Sequence, residues 1–267
     1  MLRDITLGQY YQTESLIHRL DPRVKLVATI AFIVSLFLVG GYAGYLVAGL
    51  FLALVIRLSR VPFRFMVRGL KTIVLLLLFA VAFNLFQTPG ETAVAFWRLT
   101  ITWEGISLAA SLVIRLVMLI VGSSLMTLTT TPSNLTDGME KLMKPLNLIK
   151  VPVHEIAMMM SIALRFIPIL LEETDRIMKA QLARGADFES GHLIKRARSL
   201  IPLLVPLIIS AFRRAGDLAL AMEARCYRGG EGRTKMKPLA YKARDYVSYL
   251  CLVVYITVAI CAGRLLF

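Results

Sequence analysis

Histidine, cysteine and acid are all scarce in this sequence. Its 267 residues hold three histidines (His18, His154, His192) and three cysteines (Cys226, Cys251, Cys261). None stands at a paired or metal-ligand spacing, so neither a metal site nor a disulfide framework is expected. No Gly-x-x-x-x-Gly-Lys-Ser/Thr segment occurs. Residues 229–235 are glycine-rich and basic but lack that pattern, so no phosphate-binding loop is expected in this chain. Residues 1–23 are polar, without the apolar core or small-residue cleavage site of a secretory signal. The first helix is therefore expected to serve as its own insertion signal. There is no low-complexity segment and no strict internal repeat.

What the sequence has in excess is apolar surface. It is 57% hydrophobic, with a mean hydropathy of +0.70, against roughly 45–50% apolar residues in ordinary soluble domains. The excess lies in blocks at residues 24–39, 42–58, 70–86, 106–128 and 247–266. Each is close to the ~20 residues that cross a bilayer core as a helix. Helices are favoured there because the backbone must satisfy its own N–H and C=O groups. The expected fold is an all-α integral membrane protein of about five transmembrane helices. A re-entrant pair around Gly40-Gly41 is the alternative for the first two blocks.

Thirty-one Lys and Arg against 17 Asp and Glu give a net charge of +14. A nucleic-acid partner would suit that number but not its distribution. Arg57, Arg60, Arg64, Arg68 and Lys71 crowd the second connection, while residues 87–105 carry Glu91 and Glu104 against Arg98. This asymmetry follows the positive-inside rule. It places the N-terminus, the second connection and residues 129–245 in the cytoplasm, and five spans then put Phe267 outside. The basic excess sets orientation and faces anionic lipid heads.

Three parts are expected: a leader and four-helix membrane part (1–131), cytoplasmic or membrane-surface helices (132–245), and a last transmembrane helix (246–267). In the middle part, Thr131-Pro132 reads as a helix start, with a short amphipathic helix ending near Pro145. A long helix follows over residues 153–182, apolar in its first half and charged in its second, with a kink expected at Pro168. A second long helix is expected over residues 193–225. Its small residues Ala211, Ala215 and Ala219 recur every four positions, which lets two helices approach closely.

The two long helices end alike, in Ala183-Arg184-Gly185 and in Ala224-Arg225-Cys226 followed by Gly229-Gly230. Arg in a last turn complements the helix dipole, and Gly past the end is a common cap. Two matching ends in one insertion also suit tips that enter grooves, where a guanidinium can pair with a carboxylate. Both readings stand on the residues alone. Taken with the leader His18-Arg19-Leu20-Asp21-Pro22-Arg23-Val24-Lys25, the run Arg165-Phe166-Ile167-Pro168 to Glu172-Glu173, Ala180-Gln181-Leu182-Ala183-Arg184-Gly185 and Met222-Glu223-Ala224-Arg225-Cys226-Tyr227-Arg228-Gly229, the sequence resembles the transmembrane (T) component of energy-coupling factor transporters. The likeness covers essentially the whole chain. It implies a non-catalytic subunit of an ABC-type importer of vitamins or metal ions in the cell membrane, with no cofactor. It further implies that Ala183, Arg184, Gly185, Ala224, Arg225 and Cys226 dock two cytoplasmic ATPases. The long coupling helices would cradle a substrate-binding membrane (S) subunit. Cys226 departs from the glycine usual at that place, which puts the backbone of the second tip in doubt.

Other residues have two readings each. Arg115 lies in an apolar helix, where a charge is costly unless paired; it is either a partner contact or gate, or a structural pair with a group such as Asn84. Met158, Met159 and Met160, with Met118, Met126, Met139 and Met143, suit either an adaptable interface or a core. Asp21-Pro22-Arg23 reads as a helix start. Glu172-Glu173 followed by Arg176 is similar to an acidic motif of intramembrane metalloproteases, but the arginine is one residue too near and no histidine pair accompanies it. A self-sufficient secondary transporter or channel is the stronger rival, and it would normally show inverted repeats or broken helices at the midplane.

Overall fold

A computed structural model gives the fold; it describes residues 10–89, 91–96, 99–186, 188, 198–230, 232, 234, 236 and 238–265. The elements run α1 (Pro22–Leu38), α2 (Gly41–Ser59), α3 (Phe63–Gln87), β1 (Thr92–Phe96), β2 (Leu99–Thr102), α4 (Trp103–Thr129), α5 (Pro132–Met143), a 3₁₀ turn (Lys144–Ile149), α6 (Val153–Ala183), α7 (Ile201–Ala224) and α8 (Ala243–Leu265). They form two compact units, one of Leu142–Pro238 and one of Gly8–Lys141 with Leu239–Phe267. The protein is an all-α membrane protein apart from one antiparallel hairpin. That hairpin pairs Val94 with Ile101 and Phe96 with Leu99 in the connection expected to be a plain external loop.

Of the five expected spans, α2, α4 and α8 are long and apolar enough to cross a bilayer. Helix α1 has 17 residues, about 26 Å at 1.5 Å per residue, slightly short of the ~30 Å core. The apolar part of α3 is shorter still, Ile73–Gln87. The fourth helix to meet the length and composition of a span is α6, which the sequence reading set at the membrane surface. Val39 and Gly40 separate α1 from α2 as two distinct helices.

In the larger unit, α1, α2, α4 and α8 close on a core built from Phe32, Leu36, Tyr45, Ala48, Leu125 and Tyr255. Between apolar helices in lipid, close packing replaces the hydrophobic drive. Gly263 is an instance: a Cβ there would lie 2.6 Å from the Gly40 carbonyl oxygen. The Phe51 and Tyr255 rings stack at 4.2 Å, and the Tyr255 hydroxyl meets Ser35 Oγ at 2.9 Å within the core.

Polar groups gather where the leader, α1, α4 and α8 meet. Asp21 caps α1, accepting from the Arg23 backbone N–H, with Pro22 in the first turn as expected. Burial acts to raise the Asp21 carboxyl, but the Arg23 guanidinium, 3.0 Å away, and the Arg23 N–H outweigh it and hold the pKa below the usual range. Asp245, 1% exposed, accepts the Asp21 N–H at 2.9 Å and the Lys242 N–H at 2.7 Å. Lys25, 7% exposed, donates to the carbonyls of His18 and Thr129 at 3.1 and 2.8 Å. His18 bridges Ser15 Oγ and the Tyr11 carbonyl, and burial lowers its pKa. The partners in this cluster are backbone groups, an opposite charge and the Ser15 hydroxyl, the satisfaction that buried polar groups require.

Arg115 finds Tyr45 rather than Asn84. Its Nε donates to the Tyr45 hydroxyl at 3.1 Å, its Nη2 reaches the same oxygen, and the guanidinium lies 5.5 Å from the Phe37 ring centre. Asn84 instead donates to the Ala80 carbonyl of its own helix. This is the structural-pair reading, with an aromatic hydroxyl and π faces offsetting the cost of the charge.

Candidate functional site

The smaller unit is built on α6 and α7. Helix α6 runs unbroken through Pro168, and α7 carries Pro202 in its first turn and Pro206 inside. The expected start of the second helix, at residues 193–197, lies outside the described residues. The two helices are antiparallel. Glu173 accepts from Ser210 Oγ at 2.6 Å and from Arg214 Nη2 at 2.5 Å, while Gln181 Nε2, eight residues on, reaches back to the Pro202 carbonyl at 3.4 Å. Arg184 and Arg225 therefore sit at opposite ends of the pair, about 36 Å apart along the 24 residues of α7.

Both ends close by the same backbone device. At the first, Gly185 N–H donates to the Leu182 carbonyl and Ala186 N–H to that of Gln181, each at 3.0 Å. At the second, Cys226 N–H donates to Glu223 at 2.8 Å and Tyr227 N–H to Met222 at 3.0 Å. This is a Schellman motif at each end, with arginine as the C-cap and the next residue left-handed. Gly185 has φ +85° and Cys226 has φ +54°. The cap is closed at Cys226 and Tyr227, ahead of Gly229-Gly230, which were expected to supply it. Gly230 packs so tightly on α6 that a Cβ would lie 2.4 Å from the His154 ring. Arg184, Arg225, Ala183, Ala224, Gly185 and Cys226 are all exposed.

Cys226 is the costly member, because a left-handed L-residue is disfavoured by roughly 1–2 kcal/mol where glycine is not. Cys226→Gly should raise the stability of this unit by about 1 kcal/mol. Thermal unfolding of the purified protein checks this, and a lower midpoint would show that the thiol contributes more than the backbone strain removes.

The small-residue row does not join α6 to α7. Ala211 is half-buried, and Ala215 and Ala219 are exposed, while Ser210 and Arg214 make the cross-helix contacts. Met159 and Met160 are exposed and Met158 half-buried. Beside the alanines, Leu204, Ile208 and Phe212 recur at four-residue spacing on one exposed apolar face of α7. The sequence reading passed over these three, although their period was visible in it.

The model of the cobalt transport protein family (CbiQ) matches residues 13–236. The chain is 53% identical over 262 residues to the energy-coupling factor transporter transmembrane protein EcfT of Clostridium kluyveri, covering 97% of each chain. It is 54% identical to that of Heliobacterium modesticaldum, covering 92% of each, and 46% identical to that of Bacillus subtilis, covering 95% of this chain and 96% of the other. With the fold and the paired arginine tips, these likenesses place it plainly: the chain belongs to the cobalt transport protein family, among the transmembrane proteins of energy-coupling factor transporters.

Proposed function

We propose that this chain is the energy-coupling subunit of an ATP-driven importer, holding one cytoplasmic ATPase at each arginine tip and a substrate-binding membrane subunit between the membrane and the long helices. Its cargo class is a vitamin or a metal ion, chosen by that separate subunit. The observation that carries the reading is the pair of matched, exposed Arg caps at opposite ends of a braced antiparallel helix pair. A single cap is ordinary helix chemistry, but two caps closed the same way about 36 Å apart suit two copies of one partner fold. Ala183 and Ala224 keep each tip slim, and the guanidinium offers a planar fork for a carboxylate. Met158, Met159, Met160, Ala211, Ala215 and Ala219, joined by Ile208 and Phe212, supply the apolar surface for the membrane subunit. In this arrangement the N-terminus, the α2–α3 connection and residues 129–245 face the cytoplasm, as the excess of arginine in that connection supports.

Gentle purification through a tag on this chain, followed by mass spectrometry of the intact complex, tests the proposal. The expected complex contains two ATPases and one small membrane protein, and the chain stripped of them hydrolyses no ATP. Transport by the chain alone in ATP-free vesicles would establish the secondary-transporter reading instead.

A further inference from the structure

Two adjoining cavities in the larger unit differ sharply in character. One, of about 440 Å³, is lined by Arg19, Arg57, Arg60, Glu14 and Ser15. The other, of about 480 Å³, is almost wholly apolar and runs between α1, α2, α4 and α8 past Phe51, Leu54, Val55, Met126, Val247 and Cys251. Leu16 and Leu58 line both, so a basic cup adjoins an apolar groove across these two side chains. Arg19 is paired with Glu14, whereas Arg57 and Arg60 make no ion pair among the described residues and leave the cup with two unbalanced positive charges. The side of the groove is open, since Leu54, Leu58 and Val247 are 57%, 39% and 57% exposed. Lys25 and Arg244 add positive charge on the wall of the groove.

We infer that this cup and groove together hold one anionic phospholipid of the cytoplasmic leaflet, its phosphate between Arg57 and Arg60 and an acyl chain along Leu54, Val55 and Val247. Charge complementarity selects the headgroup. The volume is that of a small-molecule site, and the lateral opening admits a chain from the bilayer without unfolding any helix. Arg60 at the rim holds a left-handed backbone, φ +54°, which ends α2 and turns the chain around the cup. The inference takes from the proposed function only the cytoplasmic face of the α2–α3 connection, and its test needs no ATPase.

The full-length chain, placed in nanodiscs of equal phosphatidylglycerol and phosphatidylcholine and then released into mild detergent, is examined by native mass spectrometry. One retained phosphatidylglycerol is expected in preference to phosphatidylcholine. Replacing Arg57 by alanine and Arg60 by glycine, which its backbone accepts, should cut that preference about 30-fold, or about 2 kcal/mol. Leu16→Glu, on a side chain 65% exposed, should repel the anionic lipid while leaving the helices unchanged, with thermal unfolding as the check on folding. Arg64→Ala, outside the cup, should leave retention as it is. Equal retention of the two lipids overturns the inference, as does a preference that survives in the Arg57, Arg60 variant. So does an equal loss in Arg64→Ala, which would mean general surface charge, or displacement of the lipid by free glycerol phosphate, which would mean a site for a soluble anion.

Discussion

Replacing both Arg184 and Arg225 with alanine is expected to release both ATPases and abolish uptake, while the chain still inserts and folds. The reasoning starts from the caps. The hydrogen bonds that close each helix end come from the backbone N–H groups of residues 185, 186, 226 and 227, so neither arginine side chain is needed for them. What alanine removes from the isolated chain is a dipole interaction of about 0.3–1 kcal/mol per tip. What it removes from a docked tip is larger. A carboxylate left unpaired in a partly buried groove costs on the order of 2–5 kcal/mol, a factor of about 30 to several thousand in affinity per tip. Each single variant should weaken assembly, and the double variant should lose it. Arg→Lys should rescue poorly, since an ammonium cannot reproduce the planar fork. Arg228, three residues past the second C-cap, is the control and should matter little. Co-purification of the ATPases with each variant, together with cellular uptake, reads the result. A double variant that keeps both ATPases and transports normally would reduce Arg184 and Arg225 to helix caps.

The second large effect is expected at Asp245. Its carboxylate accepts two backbone N–H groups, one from Asp21, 224 residues away in sequence, and one from Lys242, three residues away, and it is almost fully buried. Alanine would leave both donors without an acceptor and remove a negative charge near buried Lys25. Hydrogen bonds to charged groups contribute about 1.5–3 kcal/mol each, so Asp245→Ala should cost on the order of 3–5 kcal/mol. Asn keeps one acceptor oxygen and should cost roughly half as much. Fluorescence-detected size exclusion after a temperature ramp measures the loss. If Asp245→Ala melted with the wild type, the cluster would have to be carried by Lys25 and Arg23 alone.

Those two sites also mark what the sequence disclosed and what it withheld. The apolar blocks and the arginine tips were legible because hydropathy and cap chemistry are local: each can be read within about twenty residues. Pro22, Thr131 and Pro132 announced helix starts that the structure reproduces. The alternating Thr, Val, Leu and Ile of residues 92–102 carried a strand signal as well, masked by the flanking Glu91 and Glu104, which read as an external loop. Arg115 was legible as a charge that needs a partner, with a structural pair as one reading, but Tyr45 was not legible as that partner, since it lies 70 residues away and nothing in either neighbourhood selects the other. The same holds for Glu173 and Arg214. Their contact decides that the tips point to opposite ends, and it exists only once two helices have chosen a direction and a register. Cys226 was visible as a departure, yet its left-handed backbone became a physical cost only in the folded tip.

The place of the Glu173–Arg214 contact has a mechanical consequence. Glu173 precedes Arg184 by eleven residues, and Arg214 precedes Arg225 by eleven, so the brace stands about 16 Å from either tip at 1.5 Å per residue. A fulcrum centred between two equal arms balances equal strokes. If, as proposed, one ATPase holds each tip and the two pull the ends together, equal strokes give matched moments about the brace, and neither side tips the pair over. Their work would then go into shifting one helix against the other. A motor acting at one end alone would meet no such balance and would rotate the whole pair instead, so equal arms make the stroke productive only when both ends are engaged together.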